Sequence, residues 1–483
     1  MNKFSIIITL LLGTLGFSNA NNPAQEDGYK IEFEVKGTKA GDTIQLAYYI
    51  GTHDQYGLEA KAYADPNGKG RFVFEGDTAI REGLYLVVIP EKGFFEIIIN
   101  KDQFFSVKTD TKSFVNNMIV KGNIENEKYY EYLKSTLPIQ QKIKPLSDSL
   151  TAHKDDSLTI TEVKKWNKDI KKLGTQLNDK KANFSKENPD FFITEMLNLN
   201  GAYDIPEYLE ITDTNDRKNA RYYHYRDEIL RRAGVYENSP TLRSPVFKQQ
   251  VDKYFDQLIQ VHDTLIAHTD KVIAMAGDDY DMFRFLVIHL TKRAEKTKYM
   301  CMEKYKWHMY NRYYLNDPRV DWLKPESIKK IERFEYMMRY NHCGFPAQEL
   351  KMTDSIGVQH SLAGLDKQYT VVVFWSATCG HCKKTIPQLH EKYLELKDKY
   401  DLEVYSIHID KETKKWKEFI NKHHFEWLDV NDPNNKNHFR AKYNVYSTPT
   451  IYLLDAQKKI IAKRFDVELL EKILDDKEAL KNK

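Results

Sequence analysis

Two thiols with two residues between them, Cys379-Gly380-His381-Cys382, are the groups in this sequence whose spacing most directly proposes chemistry. They follow an apolar run, Val371, Val372, Val373, Phe374 and Trp375, and open a segment patterned as a helix. At a strand-to-helix junction such a pair can close into a small disulfide. Its first sulfur sits where unpaired N–H groups and the helix dipole favour a thiolate. A free thiol titrates near 8.5, and sites of this kind lower it to roughly 3.5–7.5. The chemistry implied is disulfide exchange with other thiols. A lone pair of this spacing also fits half a zinc site. The sequence has no second such pair, and His342, His360, His408, His423, His424 and His438 show no ligand spacing, so neither metal nor cofactor is expected.

The elements that must hold this pair alternate strand and helix over the last 140 or so residues. A strand over 371–374 leads into a helix from Cys382 to about Tyr400, interrupted by Pro387. A second buried strand covers 402–409 and a helix 414–423. A hairpin pairs 450–454 with 460–465 around 455–457, and a helix through Leu469, Leu470, Ile473 and Leu474 closes the chain. A βαβ unit followed by a hairpin and a helix is an α/β order.

Upstream, residues 29–122 read as all-β. Strands of alternating or continuous apolar residues at 31–35, 71–75, 84–89 and 94–99 are separated by turn chemistry at 65–68, 92–93 and 100–102. That spacing predicts a small sandwich or barrel. From 124 to 341 the period becomes helical. Val251, Tyr254, Phe255, Leu258, Val261 and Leu265 predict one amphipathic stripe, and Trp166, Leu173 and Leu177 an earlier helix. Aromatics crowd 222–225 and 305–314, as helix packing or as a peptide- or sugar-binding surface.

The chain has 483 residues, 41% of them hydrophobic, which is too much for one ordinary core and enough for several. A net charge of +3 offers no argument for nucleic acid or an anionic membrane. Four cysteines are too few for a disulfide-stapled scaffold. Lys3, the apolar stretch 6–15 and the small residues of Ser18-Asn19-Ala20 predict a signal peptide over 1–20, cleaved after Ala20, and hence a periplasmic location. Cys301 and Cys343 are open to two readings, a structural disulfide permitted by that compartment or two buried thiols.

The run from Val371 to Pro387, with Trp375-Ser376-Ala377-Thr378-Cys379 at its centre, and Thr448-Pro449-Thr450 at the head of a later strand, resemble the thioredoxin superfamily, in its exported TlpA/ResA-like branch. The resemblance covers about 344–483. It implies that Pro449 is cis and faces the cysteines, that Cys379 attacks and Cys382 resolves, and that Gly380 and His381 belong to the catalytic motif, His381 lending positive charge to the thiolate. It places Trp375, Thr448 and Pro449 in substrate binding. Two departures stand out. Many thioredoxins carry a buried Asp where this chain has Val373, and the reductases of this branch often carry a Glu where it has Thr385. Both are proton acceptors for the resolving thiol, so their absence leans the site toward a more oxidising potential. The upstream segments resemble two domains of unknown function that precede such modules in envelope proteins.

The organisation read from the sequence is therefore multidomain α+β: a signal peptide over 1–20, a β-sandwich over 21–123, a helical domain over 124–342 and an α/β thioredoxin fold over 343–483. The function implied is thiol–disulfide exchange on cysteine-containing envelope proteins, with a separate redox partner, no nucleic acid and a possible homodimer. The competing reading is an envelope peptide- or glycan-binding protein whose thioredoxin module is regulatory or structural.

Overall fold

The computed structural model describes residues 28–64, 70–152, 160–199, 201–297 and 300–481. The expected signal peptide over 1–20 and the expected turn at 65–68 lie outside the described residues. The chain divides into two compact units, Met1–Tyr48 with Gly57–Thr194, and Tyr49–Tyr56 with Glu195–Lys483. No described helix is long and apolar enough to cross a membrane.

Eight strands open the chain: β1 (Tyr29–Lys36), β2 (Thr43–Thr52), β3 (Gln55–Tyr63), β4 (Arg71–Gly76), β5 (Gly83–Ile89), β6 (Gly93–Ile99), β7 (Phe104–Asp110) and β8 (Ile119–Lys121). They form two four-stranded sheets, in the orders β4-β1-β7-β8 and β3-β2-β5-β6. Alternation along β1 buries Ile31, Phe33 and Val35. Phe33 meets Phe74 of its own sheet and Phe95 of the other, at centroid distances of 5.7 and 6.2 Å, so the inner faces share one core. This is the expected sandwich. Two long helices follow, α1 (Ile124–Ala152) and α2 (Ile160–Glu187), joined across Tyr132 and Phe184 at 5.0 Å.

The helical region continues through α3 (Phe192–Asn198), α4 (Thr214–Ala233), α5 (Phe247–Asp256), α6 (His262–Ala274), α7 (Tyr280–Lys296), α8 (Glu303–His308) and α9 (Pro325–Met338). The stripe from Val251 to Leu265 is two helices rather than one. α5 stops at Asp256, and in the gap that follows the Gln260 side chain donates to the carbonyls of Phe255 and Leu258. Val261 lies in the gap, 48% exposed. Cys301 and Cys343 form a disulfide with Cα atoms 5.5 Å apart, which decides between the two readings of that pair.

The C-terminal part is a seven-stranded sheet, in the order β10-β9-β13-β12-β11-β14-β15. Its strands are β9 (Lys351–Asp354), β10 (Gln359–Ser361), β11 (Tyr369–Trp375), β12 (Leu402–His408), β13 (Leu428–Asn431), β14 (Thr450–Leu454) and β15 (Ile460–Lys463), with helices α10 (Cys382–Leu396), α11 (Lys414–His423), α12 (Phe439–Lys442) and α13 (Leu470–Lys481). β11 pairs in parallel with β12 and antiparallel with β14. It is buried along its whole length because both faces are covered. Val371, Val373 and Trp375 join the core that includes Cys382, Ile386 and Leu389, and Val372 and Phe374 join the opposite one with Tyr405 and Tyr452. This is the thioredoxin fold. Pro387 is held within α10, which ends at Leu396 rather than near Tyr400.

Candidate active site

β11 delivers the chain to Trp375, a turn through Ser376, Ala377 and Thr378 follows, and α10 begins at Cys382. The Cys379 amide donates to the Ser376 carbonyl at 3.1 Å, closing the turn. Cys379 is half-buried and Cys382 fully buried, because α10 turns its first residue onto the sheet. The Cys382 amide points at the Cys379 sulfur from 3.5 Å. Across the site the Cys379 thiol donates to the Thr448 carbonyl at 3.4 Å, and the Thr448–Pro449 bond that follows is cis.

The two thiols are driven apart electrostatically. Burial pushes the Cys379 thiol up. Hydrogen bonding from the Thr448 side chain and from the backbones of Cys382 and His381 outweighs it and holds the thiol below its usual value. Cys382 is pushed up to about 11, chiefly by burial, which the Ser376 backbone and the Thr448 side chain offset only in part. The arrangement offers one accessible sulfur favoured as thiolate and, behind it, one favoured as thiol.

The remaining motif residues divide. His381 is exposed, and its backbone is the least of the groups that hold the Cys379 thiol low. A side chain built at Gly380 would meet nothing within 4 Å, so packing does not demand glycine there. Thr448 and Pro449 line the site at half exposure. Trp375 does not face a substrate, and its expected binding role is corrected. It is 0% exposed, its indole N–H donates to Ser406 Oγ at 2.8 Å, and the rings of His408 and Phe419 enclose it. Strand alternation puts it on the face of Val371 and Val373, under α10 and α11.

Sequence reasoning missed a polar group beside the turn. Ser376 Oγ donates to Asp410 Oδ2 at 2.5 Å, and Thr378 Oγ1 lies 2.8 Å from Ser376 Oγ and 3.5 Å from the same carboxylate oxygen. The available signal was topological. The parallel neighbours β11 and β12 end side by side, so the residues just beyond them meet. A second carboxyl lies deeper. Val373 of β11 is opposite Ser406 of β12, which is opposite Asp429 of β13. Asp429 thus shares the cross-strand row in which many thioredoxins place their acid, two strands further out. Burial pushes its carboxyl up to about 7 despite hydrogen bonds with Ser406 and Trp427.

Comparison with known proteins agrees with this geometry. Residues 366–460 match the thioredoxin-like family, and residues 29–129 match a domain of unknown function, DUF4369. The part of the chain around the two cysteines is thus thioredoxin-like, and it is similar to TlpA/ResA-like proteins. A thioredoxin-like protein of Haemophilus influenzae is 28% identical over 111 residues, which is 23% of this chain and 63% of that one. The thiol-disulfide oxidoreductase ResA of Bacillus thuringiensis is 26% identical over 118 residues, 24% of this chain and 66% of that one. The chain therefore spans slightly less than two thirds of these two relatives. Among solved structures, a domain of a possible thiol-disulfide isomerase from Cytophaga hutchinsonii is 36% identical over 29% of this chain and 97% of that one, with a TM-score of 0.28.

Proposed function

We propose that the C-terminal module is a thiol–disulfide oxidoreductase acting on cysteine-containing proteins of the cell envelope. The observation that carries this is the division between the sulfurs: Cys379 accessible and held low by hydrogen bonds, Cys382 buried and pushed up to about 11. In the reducing direction the Cys379 thiolate attacks a client disulfide, forming a mixed disulfide and releasing one client thiolate. Cys382 then loses its proton and attacks the Cys379 sulfur. The Cys379–Cys382 disulfide closes and the second client thiolate leaves. Oxidation of a client dithiol is the same path reversed, and a separate redox partner resets the pair. The Thr448 backbone, beside Cys379, is placed to pair with an extended client segment. Export rests on residues 1–20.

The test is trapping. Cys382→Ser leaves the attacking sulfur without its resolver and should accumulate mixed disulfides with envelope proteins, while Cys379→Ser should trap almost none. Equal trapping by both variants would refute the assignment. Ligand binding indifferent to Cys379→Ser, together with no exchange by the native chain, would favour a binding protein instead.

A further inference from the structure

Neither position at which thioredoxin-fold reductases place an acid near the resolving thiol holds one here, since they are Val373 and Thr385. A carboxylate nonetheless enters the active-site loop, from the end of the neighbouring strand. Asp410 Oδ2 accepts from Ser376 Oγ at 2.5 Å and lies 3.5 Å from Thr378 Oγ1. Its backbone is held in turn, because Asn431 Nδ2 donates to the carbonyls of His408 at 2.7 Å and of Asp410 at 3.0 Å. His408 Nε2 lies 3.4 Å from the same carboxylate oxygen. Burial lowers the pKa of that ring against the opposing pull of Asp410 and Glu412, so near neutral pH the carboxylate is not cancelled by an imidazolium.

The Ser376 hydroxyl does two jobs in the turn. It donates to Asp410, and it accepts the Thr378 amide at 3.1 Å, one residue before Cys379. The Ser376 carbonyl takes the Cys379 amide at 3.1 Å, and its backbone reaches the Cys382 sulfur. Every link from Asp410 to the two sulfurs therefore passes through Ser376 or Thr378. A hydrogen bond to an ionised acceptor is roughly twice as strong as a neutral one, so the charge holds this turn more firmly than a neutral oxygen would. The Cys382 amide sits 3.5 Å from the Cys379 sulfur, so a displacement of the turn that carries Cys379 lengthens this contact and weakens it.

We propose that Asp410 is a positioning residue for Cys379: its carboxylate clamps the hydroxyls of Ser376 and Thr378 and so keeps the Cys379 sulfur on the amides that stabilise its thiolate. The consequence for exchange rate rests on the function proposed above, whereas the consequence for the thiolate does not. The test uses the reduced full-length protein, with iodoacetamide labelling of Cys379 followed against pH and the labelled peptide quantified by mass spectrometry. Asp410→Asn keeps the shape and an acceptor oxygen but removes the charge. It should move the Cys379 midpoint up by about half to one pH unit, leaving roughly 3- to 10-fold less thiolate at any pH well below that midpoint, the scale of one weakened hydrogen bond. Ser376→Ala should shift it in the same direction, and the double variant should fall well short of the sum, because only the 3.5 Å contact with Thr378 bypasses Ser376.

A purely structural role would lower the unfolding midpoint and leave the labelling midpoint of the folded protein in place. That result, or full additivity in the double variant, overturns the proposal. Exchange with a small disulfide should slow by a similar factor at a pH well below the Cys379 midpoint. Should the native chain exchange no disulfide while the labelling midpoint still moves, the positioning role stands and the proposed function fails.

Discussion

Replacing Asp429 by Asn should stabilise the protein above neutral pH and have little effect near pH 4. Asp429 is 9% exposed, and Trp427 Nε1 donates to its Oδ2 at 3.1 Å. Burial pushes its carboxyl up to about 7, against about 3.9 for an unfolded Asp. Between those values the folded state binds more protons than the unfolded state, so stability falls as pH rises. The favourable contribution is complete below about pH 3.9 and gone once pH exceeds about 7. About three units at 1.36 kcal/mol each is about 4 kcal/mol. Asn keeps an acceptor for the Trp427 indole and a group to meet Ser406, and it has no proton to lose. Urea unfolding followed by tryptophan fluorescence from pH 4 to 8 should therefore show the variant gaining on the native chain by about 2–4 kcal/mol at pH 8, with the gap closing toward pH 4. A difference that stays constant across that range would show that Asp429 does not change its charge between the folded and unfolded states, and the account of this buried row would be wrong.

Two further outcomes follow from the geometry. His381→Pro removes the amide that reaches the Cys379 sulfur and should raise the Cys379 labelling midpoint, whereas His381→Ala keeps that amide and should leave the midpoint nearly unchanged; the opposite order would make the imidazole the active group. The Cys301–Cys343 disulfide closes a loop of sequence separation 42, so the double Ser variant should lose about 4 kcal/mol of stability in urea by the chain-entropy relation, and added reductant should destabilise the native chain but not the variant.

What could be read before the fold was known was local. Alternation along residues 31–35 and a nearly continuous apolar run over 94–99 predicted strands that exist as β1 and β6, and in β1 the single buried face repeats every two residues. β9, β10 and β13 escaped notice. They are three or four residues long, too short for an apolar period to stand out even where Leu428 and Val430 alternate with Asp429 and Asn431. The break between α5 and α6 escaped for a related reason. The apolar stripe runs on through Val261, and nothing in its spacing marks the stop at Asp256. Trp375 was misread because an aromatic beside a reactive cysteine looks the same in sequence whether it faces a client or the core.

The amino-acid sequence by itself determined the reactive pair, the strand-to-helix junction that opens α10 and the proline that follows Thr448, since each depends on neighbours within one or two turns of chain. Tertiary structure alone decided which groups surround the sulfurs. Asp410 meets Ser376 across 34 positions because β11 and β12 are parallel neighbours ending at one edge, and Asp429 reaches the row of Val373 because β13 is added beyond β12. The pairing of Cys301 with Cys343 and the burial of Trp375 belong with these. The physical reason is common to all of them. Hydrogen bonding and desolvation act over a few ångströms of space, and which residues share that space is set by strand order and side-chain facing, neither of which any local run of residues encodes.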